Sequence, residues 1–170
     1  RPRHSFPTRR SSDLQQLSRA LGEQFSVNKH ALEQDPVAAK LIEQLRAIHE
    51  DAQPYGKLRN VGTLVEQLAA INQRLIEQKR AFSLQAIEQT QQGIQSSVSE
   101  LPSELQNKAM RPFVLLKERV AKSVSLHELV SLVKEADDQE DEVIALINRY
   151  SAEQAAHQSE VSVFPPQVQE

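Results

Sequence analysis

Residues 63–101 read TLVEQLAAINQRLIEQKRAFSLQAIEQTQQGIQSSVSEL, and this stretch decides the fold. It contains no proline, and Gly93 is its only glycine, so little in it would end a helix. Apolar residues fall at Leu64, Leu68, Ile71, Leu75 and Phe82, then at Leu84, Ile87, Ile94, Val98 and Leu101. Steps of three, four and seven residues put each set on one face of a helix. The spacing predicts one long helix of about 37 residues, roughly 55 Å at 1.5 Å per residue. A single small core cannot cover that length, so other helices must lie along it. The two sets are one residue out of phase between Phe82 and Leu84. That slip turns the stripe by about 100° and predicts two different helical partners rather than one uninterrupted seam.

Composition agrees. Of 170 residues, 39% are hydrophobic but only 4% aromatic, with four glycines and abundant Gln, Glu, Leu and Ala, the makeup of a helical bundle or coiled coil. The absence of cysteine excludes a disulfide framework, a zinc ribbon and a thiol nucleophile, and fits a reducing cytoplasm. No run of 18 apolar residues is present to span a membrane as a helix.

Residues 1–14 stand apart. The string Ser5 to Leu14, SFPTRRSSDL, looks like the translated frame of a short-read sequencing adapter joined to a coding sequence, and it is set aside from the fold argument. The alternative is a natural basic arm. Arg1, Arg3, Arg9 and Arg10 against Asp13 give the segment a net charge of +3, so the rest of the chain carries −6 where the whole carries −3. An acidic body argues against a binder of phosphate backbones. The same reading expects the native protein to extend beyond both ends of the sequence.

Leu14, Leu17, Leu21 and Phe25 predict a short amphipathic helix weakened by Gly22. Asp35 before Pro36 is a helix start: the carboxylate accepts from backbone N–H groups and proline suits the first helical position. The helix should reach about Asp51, burying Val37, Leu41, Leu45 and Ile48 and turning Lys40, Glu43 and Arg46 outward. From Gln53 to Gly62 the pattern breaks at Pro54, Gly56 and Gly62. Tyr55, Lys57 and Arg59 there read as an interhelical loop with solvated charges in preference to a ligand site.

Pro102 and Ser103 mark a reversal, and Ser103 with Gln106 reads as a capping box. The next helix should run to about Lys122 with Leu105, Phe113, Leu116 and Val120 inward and a kink near Lys108 to Met110 caused by Pro112. Ser125 with Glu128 is a second capping box. It opens a helix to about Tyr150 carrying Leu126, Leu129, Val133, Ala136, Val143 and Ile147, with Glu140 at the interrupted position. Short links make neighbours antiparallel, so the expected fold is all-α: an elongated helical hairpin or bundle. Its parts are short helices over 15–52, an antiparallel three-helix coiled-coil-like bundle over 63–150, and a linker with an extended tail over 151–170 that includes Val161, Val163 and Phe164 before Pro165 and Pro166.

The search for chemistry names no catalytic, cofactor-binding or metal residue. Gly56-Lys57 has Asp51 where a phosphate loop needs glycine, and Leu58 where it needs Ser or Thr. His4, His30, His49, His127 and His157 are scattered, and His49-Glu50-Asp51 lacks the second histidine of a metalloprotease helix. Asp137, Asp138, Glu140, Asp141 and Glu142, within the run Glu135 to Glu142, lack the glycine and alternating spacing of a calcium loop and read as solvated surface. Lys108, Arg111, Lys117, Arg119 and Lys122 should pair with that acidic helix, each exposed pair worth about 0.2–1 kcal/mol. No aromatics interleave with them to stack on bases. Leu126, Leu129 and Val133 read as core before they read as a cavity lining.

One resemblance covers most of Ala31 to Ile147. It rests on the Tyr55-Gly56-Lys57-Leu58-Arg59 turn, the long Leu/Gln/Glu-rich helix, the Leu101-Pro102-Ser103-Glu104-Leu105 reversal, the Arg111-Pro112 break and the Ser125 cap. Together these resemble the helical C-terminal region of the large P-loop ATPase of BREX bacterial phage-defence systems. The tail from Val161 to Pro166 is similar to the lead-in to that family's last small element. The resemblance implies a non-catalytic assembly or coupling region of a cytoplasmic complex. The site for ATP and magnesium would lie upstream, and the partners would be proteins, other phage-defence components among them, with no membrane and no direct nucleic-acid contact. The alternative from the residues alone is a stand-alone coiled-coil scaffold or adaptor that binds partner helices.

Overall fold

The computed structural model describes Arg19, Gly22 and residues 25–51 and 61–163. Among them the protein is all-α, with no strand. A 3₁₀ turn, Ser26–Asn28, leads into α1 (Lys29–Gln34), α2 (Pro36–Asp51), α3 (Val61–Val98), α4 (Ser103–Lys122) and α5 (Leu126–Val163). Residues 1–14, most of the helix expected over 14–25, the loop residues 52–60 and the tail from Phe164 lie outside the described residues.

The chain divides into two compact units, Arg1–Arg80 with Ser123–Glu128, and Ala81–Lys122 with Leu129–Glu170. Helix α3 therefore contributes residues 61–80 to the first unit and 81–98 to the second.

In the first unit Asp35 does what its sequence position predicts. Its Oδ1 accepts from the N–H groups of Val37 at 3.1 Å and Ala38 at 3.0 Å, relieving two of the donors that a helix start leaves unsatisfied. Its Oδ2 accepts from Arg74 Nη2 of α3 at 3.1 Å. Helix α2 then buries Ala38, Leu41, Ile42, Leu45 and Ile48, which pack with Phe25 and Leu32 against Val61, Val65, Leu68 and Ile71. Val37, predicted to lie in that stripe, is instead 61% exposed. The buried face passes through the smaller Ala38, one residue or about 100° away.

The long helix also departs from expectation at instructive places. Gly62, expected to break the chain, lies inside the first turn of α3. The phase slip is absent. Buried positions run Val61, Val65, Leu68, Ile71, Ile76, Ser83, Ile87, Ile94 and Val98, and the stripe's middle is carried by Ser83 at 0% exposure. Phe82 and Leu84 flank that serine and are exposed, Phe82 to 60%. Following the large apolar residues produces an apparent turn of the stripe where the true centre is a small polar side chain.

In the second unit α4 and α5 run antiparallel, with Arg119 Nη1 on Glu135 Oε2 at 3.0 Å at one level and Gln139 Nε2 donating to the Ala109 carbonyl at 3.3 Å at another. Ser83 Oγ of α3 donates to the Leu129 carbonyl of α5 at 3.4 Å. The buried side chains are Ile87, Ile94, Val98, Leu101, Ala109, Phe113, Leu116, Val120, Leu129, Leu132, Ala136 and Val143. Pro112 sits inside α4, which stays helical from Ser103 to Lys122. Helix α5 does not stop near Tyr150. It continues to Val163, so the linker expected from Ser151 is helical, and every side chain from Ser151 to Glu160 is exposed. The run contains no proline or glycine, and its Ala, Glu and Gln residues have high helix propensity, which dilution of hydrophobicity does not cancel.

Candidate functional site

A connected set of polar side chains is centred on Asn28, which is 5% exposed. Its Nδ2 donates to Asn72 Oδ1 of α3 at 2.9 Å and to the Val124 carbonyl at 2.9 Å. Its Oδ1 accepts from the Leu126 N–H, the first of α5, at 2.8 Å. Asn28 thus caps a helix from a distant part of the chain. The Ser125 and Glu128 pair supplies one half of its expected box: Ser125 Oγ accepts from the Glu128 N–H at 3.1 Å, while the Ser125 N–H donates to Ser123 Oγ at 3.2 Å. Arg80 Nε closes the cluster by donating to the Ser123 carbonyl at 2.9 Å.

The other box is replaced. Gln106 directs its amide to the carbonyls of Leu101 at 2.6 Å and Ser99 at 3.1 Å, so it ties down the end of the preceding turn instead of reaching back to Ser103. The buried polar residues Asn28, Ser83 and Ser123 all bind backbone, and none of the buried side-chain nitrogen or oxygen atoms among the described residues lacks a partner. Such groups hold helix ends and helix neighbours in register; they present no activated nucleophile or proton donor.

The charged residues singled out in the sequence are dispersed. Glu135, Asp137, Asp138, Asp141 and Glu142 are exposed around α5, and Glu140 is half-buried. Among the described residues no three His, Asp or Glu side chains converge as a metal site would require. Of the basic residues of α4, Arg119 makes the expected pair, with Glu135. His30 Nε2 accepts from Gln34, His127 and His157 are exposed, and His4 and the His49 side chain lie outside the described residues, as do Tyr55, Lys57 and Arg59. Leu129 is core, with Leu126 and Val133 half-buried.

A shallow groove lies between α4 and α5. Two depressions in it share Pro112, Gln139 and Glu142. One extends to Leu115, Arg119, Glu135 and Asp138, and the other to Lys108, Ala145, Leu146 and Arg149. Sequence patterning places these residues on separate solvated faces, because only the antiparallel pairing of α4 with α5 brings the two rows together.

No family model matches the chain, and no solved structure matches it. The reading of its role therefore rests on its own surfaces. Those surfaces carry large apolar side chains outside the core: Phe82 and Leu84 on α3, Val114 and Leu115 on α4, and Val130 and Ile144 on α5.

Proposed function

We propose that this chain is a non-catalytic helical assembly or coupling region of a larger cytoplasmic P-loop ATPase of the phage-defence type, with its nucleotide site in another part of the protein. The observation that carries the interaction reading is the exposure of large apolar side chains on three successive helices whose buried polar groups are already engaged in holding the fold. Gathered into a contiguous patch, such side chains mark a surface that meets other proteins. The parentage is supported by the resemblance of the long helix, the Leu101 to Leu105 reversal, the Arg111-Pro112 break and the Ser125 cap. ATP and magnesium would belong to the parent, and the partners would be protein components of the same defence complex.

Recovery of the gene's uninterrupted reading frame tests this. An upstream G-x-x-x-x-G-K-[ST] following a strand is the expected result. A short frame without one overturns it.

A second reading, a stand-alone scaffold that binds partner helices, is favoured by the continuation of α5 to Val163 with exposed side chains along Ser151 to Glu160. It expects a stable oligomer in light scattering. A monomer over a wide concentration range overturns it.

A further inference from the structure

We draw no further inference here: the strongest candidate, the shallow groove between α4 and α5 beside the exposed Leu115, carries nothing because nothing in the structure shows what covers it.

Discussion

The backbone N–H of Leu126 donates to Asn28 Oδ1 at 2.8 Å, so the first turn of α5 is capped by a side chain 98 positions earlier in the chain. The same asparagine donates to Asn72 and to the Val124 carbonyl. One small polar residue thereby joins the 3₁₀ turn, α3 and the start of α5.

Replacing it should be costly. Asn28→Ala leaves the Leu126 N–H and the Val124 carbonyl without these partners in a part-buried place, at a cost of about 1–2 kcal/mol in urea unfolding. Asn28→Asp keeps the acceptor for Leu126 and loses the two donations. Hydrogen exchange at the Leu126 amide should therefore accelerate in the alanine variant and stay protected in the aspartate one; equal exchange in both would show that the cap is not what holds the turn.

Asp35 carries two jobs of unequal weight. Its cap of Val37 and Ala38 is a helix-start interaction worth about 1 kcal/mol, whereas its pair with Arg74, whose side chain is 55% exposed, belongs to the weak class of about 0–1 kcal/mol. Asp35→Ala should therefore lower stability by about 1–2 kcal/mol. Asp35→Asn keeps a capping oxygen and should recover most of that loss, and a comparison of the two denaturation midpoints separates the cap from the ion pair. If the Asn variant is as weak as the Ala variant, the ion pair with Arg74 stabilises the protein more than the cap does.

What was legible in the sequence follows from which interactions are local. The starts of α2 and α5 are written in adjacent residues, Asp35-Pro36 and Ser125 with Glu128, and the structure has them there. The all-α class and the long helix follow from periodicity in the same way. The centre of the α3 stripe is hidden from that periodicity because Ser83 is small and polar, while Phe82 and Leu84 draw the eye by size. Its burial depends on the Leu129 carbonyl of another helix, which no local pattern announces. Asn28 and Asn72 are hidden for the same reason: each is an isolated amide until the fold brings it to its partner. The groove of α4 and α5 depends likewise on pairing, with no motif in either helix alone.

Phe82 and Phe113 should respond differently to truncation although periodicity assigns both to apolar stripes. Phe113 is 0% exposed, and Phe113→Ala removes a full aromatic ring from the core, an expected loss of about 3–5 kcal/mol. Phe82 is 60% exposed, and Phe82→Ala should change stability by less than about 1 kcal/mol. Parallel thermal unfolding of the two variants measures the contrast. Comparable losses would restore Phe82 to the core.

Ser83 offers a sharper check on the stripe. Ser83→Ala removes a long hydrogen bond of 3.4 Å and should cost less than about 1 kcal/mol. Ser83→Leu would satisfy a hydrophobicity pattern, yet it forces extra methylene groups against a closed helix contact, with an expected loss of about 1–3 kcal/mol. A leucine variant more stable than the parent would mean that the site has room which the burial of Ser83 does not suggest.

Pro112 is the residue at which the chain should be most easily improved. It lies inside α4, where it has no N–H to give to the Lys108 carbonyl and its ring crowds that carbonyl, a penalty of about 3 kcal/mol for an interior helical position. Proline returns about 0.4–1 kcal/mol of this by restricting the unfolded chain, and its half-buried ring contributes some contact in the groove. The balance favours alanine. Pro112→Ala should stabilise the protein by about 1–2 kcal/mol, which for a chain of this size raises the midpoint of thermal unfolding by about 2–8 °C. The direction of that shift decides between two accounts of α4: a rise means that the helix tolerates the proline at a cost, and a fall means that the ring's packing against Gln139 and Glu142 outweighs the lost hydrogen bond.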